Sequence, residues 1–239
     1  MAIGKLRTVV FDAPDIARLS AFYTALAGWT EQYADDEWIT ITTGDGWRIG
    51  LQSAPDHVPP RWPDPAYPQQ AHFDLRVPDL AAATAKAVEL GATLLRENET
   101  WNTLADPAGH PFDLCVVPEN DAVTVMGVML DCPDAKVLSV FYSELLGKAI
   151  TYEAEGIAMI GEDGAMPVMF QQVAEYAAPR WPDPAHPQQV HLDVLVDEIE
   201  SAEKAALELG ATRLDGQGDN WRVYADPAGK PFCLMWKVG

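Results

Sequence analysis

Four stretches of the chain repeat their apolar residues with the spacing of an amphipathic helix. In the first, apolar residues recur three and four positions apart between Asp15 and Gly28: Ile16, Leu19, Phe22, Tyr23 and Leu26. Asp15 is placed to accept hydrogen bonds from the free N–H groups of the first turn, and Gly28 to end the helix in a left-handed conformation. The same pattern predicts three further helices, Asp79–Leu90 before Gly91, Asp134–Leu146 before Gly147 and Asp197–Leu209 before Gly210.

Short apolar or β-branched runs, which are typical of strands, lie on both sides of the predicted helices. The runs before the helices are Thr8–Phe11, His72–Val77, Val123–Leu130 and His191–Val196. Those after the helices include Trp38–Thr42, Arg48–Gln52 and Phe112–Val117. Each helix with its strands therefore reads as a β-α-β-β-β unit, which we call a module, and the chain contains four modules.

The chain is an internal duplication. Residues Arg61–Val77 return as Arg180–Val196 at an offset of 119, with 12 identities in 17 positions. An Asp-Pro-Ala-Gly segment also occurs twice, at Asp106–Gly109 and at Asp226–Gly229. Copies of this size match ordinary domains better than the units of a solenoid. We expect two domains, at residues 1–118 and 122–239, each built from two modules.

The acidic charge of the chain limits the kinds of partner that it is expected to bind. The 239 residues carry 16 Lys+Arg against 36 Asp+Glu, a formal net charge of −20. Binding to nucleic acid and docking on an anionic membrane both depend on clustered basic residues, so neither partner is expected. The hydrophobic content of 48% is that of a globular protein. The expected partner is a small molecule, bound by a monomer or a homodimer.

The cysteines and the N-terminal segment predict a cytoplasmic protein. Cys115, Cys132 and Cys233 are odd in number and lack Cys-x-x-Cys spacing, so neither a disulfide framework nor a structural zinc site is indicated. Cys115 and Cys132 are expected to act as small buried hydrophobes. Residues 1–7 lead straight into a strand-like run and lack the apolar core of a signal peptide.

The order of the motifs resembles the glyoxalase / bleomycin-resistance / extradiol-dioxygenase group, also called the vicinal oxygen chelate superfamily. The resemblance covers nearly the whole chain in both copies. In copy one it is carried by Asp12-x-Pro14-Asp15, Phe22-Tyr23, Gly28, His72-x-Asp74, Gly91-Ala92 and Asp106-Pro107-x-Gly109-x-Pro111-Phe112. It implies an α+β fold in which four βαβββ modules form two glyoxalase-like domains, with curved mixed sheets shaped as open cups.

In metal-dependent members of this group, the cup holds a divalent ion that chelates two oxygens of the substrate. The family's ligand positions fall on the first and last strands of each module. In copy one they are Thr8, Gln52, His72 and Asp113, and in copy two Gly127, Gln171, His191 and Cys233. The resemblance thus implies metal candidates in Gln52, His72 and Asp113, and in Gln171, His191 and Cys233. Asp74 and Asp193 share the strand face of each histidine, as partners of its ring or as plain structural residues.

This ligand set departs from the family pattern. Thr8 and Gly127 stand where a histidine or glutamine is expected, and Cys233 would bring thiolate character to its site. An extradiol oxygenase needs two histidines and a carboxylate, and a glyoxalase I site needs two glutamates. Neither set is in place, so the resemblance does not extend to those two activities. The alternative is that both histidines only hold their loops by hydrogen bonds.

Aromatic residues offer a binding mode without metal. The chain has eight tryptophans, and arginine–tryptophan pairs open both copies of the proline-rich loop. The ligand-stacking candidates are Trp38, Trp47, Arg61, Trp62, Trp101, Arg180, Trp181 and Trp221. Rings of this kind would line a pocket for a flat aromatic compound.

Three functions remain open from the sequence. The first is binding of a small organic ligand in a cup, with a sequestration or resistance role. The second is a lyase or isomerase that uses an unidentified divalent metal, and the third is a scaffold with vestigial cups. The residues leave open whether the protein is an enzyme, and whether modules pair within a copy or between chains.

Overall fold

A computed structural model of the protein describes residues 2–162 and 166–237. Four modules follow one another along it. Module 1 comprises β1 (Lys5–Ala13), α1 (Ile16–Ala27), β2 (Thr30–Ala34), β3 (Trp38–Thr42) and β4 (Arg48–Ser53). Module 2 comprises β5 (Ala71–Val77), α2 (Leu80–Glu89), β6 (Thr93–Glu97), β7 (Trp101–Ala105) and β8 (Pro111–Val116). Module 3 comprises β9 (Thr124–Cys132), α3 (Ala135–Leu146), β10 (Ala149–Ala154), β11 (Ile157–Gly161) and β12 (Val168–Gln172). Module 4 comprises β13 (Val190–Leu195), α4 (Ile199–Glu208), β14 (Thr212–Gln217), β15 (Trp221–Ala225) and β16 (Pro231–Met235).

The predicted helix signals act as caps in three of the four helices. The carboxylates of Asp15, Asp79 and Asp134 accept backbone N–H bonds at the first turns of α1, α2 and α3. Gly28 and Gly147 end α1 and α3 at φ 69° and 65°. The fourth helix differs from the expectation, because Glu198 precedes it and makes no side-chain cap bond. None of the described helices is long and apolar enough to span a membrane.

The fold class is confirmed: the protein is α+β, with two eight-stranded mixed sheets that stay open. Sheet A has the strand order β14-β15-β16-β13-β1-β4-β3-β2, and sheet B the order β10-β11-β12-β9-β5-β8-β7-β6. Within each module the first and last strands run parallel, as β1 and β4 do. The helices cover one face of the sheets and bury the apolar stripe predicted above, including Leu19, Phe22 and Tyr23.

Each sheet joins one module from each copy of the duplication. Sheet A pairs module 1 with module 4 through antiparallel β1 and β13, with Val9 opposite Leu192. Sheet B pairs module 2 with module 3 through antiparallel β5 and β9, with Phe73 opposite Val128. Each cup is therefore formed by modules from both copies, and neither copy forms a cup by itself. We call these cups cup A and cup B.

Two glutamines join the two copies of the duplication by reciprocal hydrogen bonds. The backbone N–H of Gln70 donates to the Gln189 Oε1 atom at 3.1 Å, and the N–H of Gln189 donates to the Gln70 Oε1 atom at 2.8 Å. Both side chains are buried, and each amide also donates to the backbone carbonyl of a proline in the other copy, Pro187 or Pro68. The repeated Pro-Gln-Gln element is thus a joint that fixes the cups relative to each other.

Candidate functional site

The pairing of modules across copies recombines the ligand positions implied by the resemblance. Cup A brings Gln52 of copy one together with His191 and Cys233 of copy two. Sheet B, which carries cup B, contains His72 and Asp113 of copy one and Gln171 of copy two. The grouping of Gln52 with His72 and Asp113 that the sequence predicted is therefore wrong, because Gln52 lies on sheet A and the other two on sheet B. The grouping of Gln171 with His191 and Cys233 is wrong for the same reason. The sequence could not reveal this, since it does not say which module pairs with which.

Cup A is a cavity of about 600 Å³ with mixed lining. Three tryptophans, Trp38, Trp181 and Trp221, stand around it. The remaining lining residues are Glu37, Gln52, Ser53, Pro55, Gln188, His191, Asp193, Val223, Pro231, Cys233 and Met235. This volume suits a compound of one or two fused rings, and the mixture of apolar walls with a few polar groups is that of a ligand pocket.

The floor of cup A depends on a glycine. A Cβ at Gly50 would lie 2.6 Å from Cζ2 of Trp38 and 3.1 Å from Cγ2 of Thr8, so the indole lies directly on the strand backbone. The indole N–H of Trp38 donates to the Thr40 Oγ1 atom at 2.8 Å. Gly50 and Thr40 were not among the residues predicted from the sequence. Nothing in the chain sets this glycine apart from its other glycines.

Cup B has a different floor. Met169 occupies the position equivalent to Gly50, and Gly127 the position equivalent to Thr8. A Cβ at Gly127 would lie 2.7 Å from Cε of Met169, so the methionine side chain covers the strand there. Ile157 stands where cup A has Trp38. The two cups share a backbone design but present different surfaces to a ligand.

A histidine and a carboxyl group lie together in each cup. The Nε2 atom of His72 is 3.5 Å from Asp74 Oδ1, and the Nε2 atom of His191 is 3.6 Å from Asp193 Oδ1. Burial lowers the pKa of both histidines to about 4, so the rings are neutral near pH 7. Burial raises the pKa of Asp193 to about 7, and burial together with the Asp113 charge raises that of Asp74 to about 7.

A glutamine fixes the tautomer of each histidine. The amide nitrogen of Gln69 lies 3.1 Å from Nδ1 of His72 and also donates to Asp131 Oδ1 at 3.1 Å. Gln188 repeats the contact to Nδ1 of His191 at 3.2 Å. When the amide NH₂ group faces the ring, Nδ1 accepts and the ring proton lies on Nε2. When the amide presents its oxygen instead, the proton lies on Nδ1 and Nε2 is open to a metal ion. Both glutamines belong to the repeated Pro-Gln-Gln element, which is the sequence feature that could have identified them.

Within residues 2–162 and 166–237, two sets of side chains have donor atoms close enough to hold a metal ion. The sets are His72, Asp74 and Asp113 in cup B, and His191, Asp193 and Cys233 in cup A, each within 4.8 Å of one another. The nitrogen and carboxylate donors of cup B suit a divalent ion of intermediate softness. Cup A fits less well, because burial raises the pKa of the Cys233 thiol well above its usual value and disfavours the thiolate that a metal needs.

Other predicted ligand-binding residues lie outside cup A. Trp47 is half-buried and packs on the hydrophobic core, and the Arg61 guanidinium lies 3.8 Å from the centre of the Tyr67 ring. Trp62 lines a separate recess of about 160 Å³, together with Gln69, Asp131 and Tyr176. Arg180 is exposed on its loop, and Trp101 is 40% exposed on β7. Cup A therefore gathers only three of the eight predicted ligand-binding residues.

The chain is similar to known proteins in sequence and in fold. A sequence model described as "Glyoxalase-like domain" matches residues 8–115 and 127–235. Glyoxalase I from Zea mays superposes with a TM-score of 0.68 at 17% identity, over 97% of this chain and 92% of that chain. A candidate dioxygenase from Bacillus subtilis subsp. subtilis str. 168 gives a TM-score of 0.66 at 10% identity, over 100% and 86% of the two chains. At these identities the structural likeness shows the fold alone. A search of curated proteins found no significant match.

Proposed function

The chain belongs to the glyoxalase-like domain family, and from this premise we propose that it is a cytoplasmic protein that sequesters a flat aromatic compound in cup A. The observation that carries the proposal is the cavity of about 600 Å³ walled by Trp38, Trp181 and Trp221. All three cysteines of the chain are free, which agrees with a reducing compartment.

Hydrogen bonds within the protein hold two of the cup A tryptophans, Trp38 and Trp181, in place without a ligand. The indole N–H of Trp38 is bonded to Thr40, and that of Trp181 donates to the Asp215 carbonyl oxygen at 2.8 Å. With their N–H groups bonded to the protein, these rings offer their faces to a ligand. A held ring loses little conformational freedom on binding, which favours affinity.

Cys233 favours binding over metal-dependent turnover in cup A. Burial raises the pKa of its thiol well above the usual value, which disfavours the thiolate that a metal ion would need. The Asp193 carboxyl group and the Gln52 amide are then left as hydrogen-bonding groups that orient a ligand.

A binding experiment tests this function. We expect 1-naphthalenemethanol to bind with one molecule per chain in isothermal titration calorimetry. At about 0.5 kcal/mol per non-hydrogen atom, the Kd would be in the tens of micromolar. Trp38→Ala should weaken binding by at least tenfold, since a stacked aromatic pair adds about 0.5–1.5 kcal/mol beyond the buried area. Trp47→Phe, outside the cup, is the matched control.

Two results would contradict the proposal. One is the absence of binding by 1-naphthalenemethanol and similar bicyclic compounds. The other is equal loss of affinity in Trp38→Ala and Trp47→Phe, which would place the ligand elsewhere. Recovery of the compound unchanged by mass spectrometry after long incubation separates sequestration from catalysis.

A second candidate function is a divalent-metal lyase or isomerase centred on cup B. It is favoured by the closeness of His72, Asp74 and Asp113, whose donor atoms lie within 4.8 Å of one another. A bound divalent ion would act as a Lewis acid on a substrate with two adjacent oxygens. The chain's own residues would hold the ion, and Gln171 lies on the same sheet to hydrogen-bond a substrate oxygen.

Measurement of the metal content tests this second candidate function. After dialysis against MnCl₂ and then metal-free buffer, plasma mass spectrometry should find one ion per chain in the native protein. The ion should be lost in Asp113→Ala, because removal of one of three ligands lowers affinity strongly, and kept in Cys233→Ala, which alters only cup A. A native protein that retains no ion after separate dialyses against MnCl₂, NiCl₂ and ZnCl₂ would contradict the lyase or isomerase function.

A further inference from the structure

The lining of cup A contains hydrogen-bond acceptors but no fixed positive charge. Glu37 stands at its rim, and the carboxyl group of Asp193 and the amide of Gln52 lie within it. No lysine or arginine is among the residues that line the cavity in the described part of the chain. Arg7, whose charge acts on Asp193, is not one of the lining residues.

The net charge of the protein also favours a cationic ligand over an anionic one. The whole chain carries a formal charge of −20. A field of this sign concentrates cations near the protein surface and repels anions, and a cleft between low-dielectric walls focuses that field. A carboxylate or phosphate entering cup A would lose its hydration without gaining a cationic partner.

The aromatic walls add a specific attraction for cations. The negative faces of indole rings attract a cation within about 6 Å, and tryptophan is the strongest of the aromatic residues in this respect. Trp38, Trp181 and Trp221 surround a cavity that also presents two carboxyl groups. Arg61, which the sequence analysis proposed as a ligand-stacking partner, lies instead over the Tyr67 ring. Among the described residues, the cation–π contacts lie at Tyr67, Tyr224, Trp236 and Tyr176, and not at the three tryptophans of cup A.

We infer that the compound bound in cup A is an organic cation, an aromatic ring system that carries a protonated amine. The inference rests on the proposed function, since it names the ligand class for the same cavity. The ring system stacks between the tryptophans, and the ammonium group donates to the carboxyl group of Asp193 or Glu37. Anionic substrates are excluded by the same groups.

Three probes that differ only in one substituent test the charge preference. 1-Naphthylmethylamine is protonated at pH 7, 1-naphthalenemethanol is neutral, and 1-naphthoic acid is anionic. By titration calorimetry the amine should bind at least tenfold more tightly than the alcohol, and the acid at least tenfold more weakly. Equal affinities of amine and alcohol would overturn the inference while leaving the proposed function intact. Failure of all three probes to bind would overturn both.

Two variants locate the preference in the cavity. Glu37→Gln and Asp193→Asn should each reduce the ratio of amine to alcohol affinity at least threefold. Glu89→Gln removes the same single charge from the exposed end of α2 and should leave that ratio unchanged. If all three variants shift the ratio equally, the preference belongs to the net charge of the protein, and the assignment to these two carboxyl groups is wrong.

Discussion

Replacement of Lys230 by methionine is expected to lower the free energy of unfolding by about 3–5 kcal/mol, because it breaks a buried charge cluster from one side. Lys230 is 4% exposed, and its ammonium group donates to the Gln70 carbonyl oxygen at 2.7 Å. The buried carboxylates of Asp131 and Asp226 attract it electrostatically. Methionine fills a similar volume, so the loss reports the missing charge rather than a cavity.

The expected loss depends on pH. Burial raises the pKa of Asp131 and of Asp226, and the Lys230 charge counteracts that rise. Without the lysine both folded-state pKa values move higher, so the variant loses stability as the pH rises through them. Its deficit relative to the native protein should therefore shrink between pH 8 and pH 5, as the carboxyl groups take up protons.

Urea unfolding followed by tryptophan fluorescence measures the effect. Lys204→Met on the exposed face of α4 is the control, since a surface pair such as Lys204–Glu208 at 3.9 Å contributes little. A Lys230→Met loss below about 1 kcal/mol, or one independent of pH, would show that the carboxyl groups are already neutral beside the lysine.

The sequence predicted the modules well because their signals are local. The spacing of apolar residues and the capping aspartates Asp15 and Asp134 act within a few residues, and the structure has helices where they fall. The choice between pairing within a copy and pairing across copies could not be predicted. The two copies carry the same strand patterns, so β1 has an acceptable partner in either arrangement, and only the packed core selects β13.

The candidate site was less predictable than the modules, because it combines residues that are far apart in the sequence. Gln52 and His191 are far apart in the chain and meet only because module 1 pairs with module 4. The two histidines stand at the positions that the family resemblance implies, but their tautomers are set by Gln69 and Gln188. The difference between the cups comes from Gly50 and Met169, whose effect depends on the neighbouring side chains that fill the space above them.

Substitution of Gly50 by methionine is expected to weaken aromatic binding in cup A by at least 100-fold. The backbone at Gly50 does not have the positive φ that would exclude a side chain. The added side chain instead takes the place of the Trp38 indole, as Met169 occupies the floor of cup B. The displaced indole would leave Thr40 and enter the cavity, which removes both the stacking surface and the volume for the ring. Loss of such a central aromatic contact costs about 2–4 kcal/mol in binding.

The measurement uses the probe that binds the native protein most tightly, with thermal unfolding of Gly50→Met as a check that the fold is kept. Met169→Leu, the matched change on the floor of cup B, should leave the affinity of cup A within twofold, because volume-conserving apolar substitutions disturb packing little. Undiminished binding in folded Gly50→Met would show that the ligand does not use the Trp38 floor. Equal loss in Met169→Leu would mean that the cups are coupled through the Gln70–Gln189 joint, so that a ligand in one cup is felt by the other.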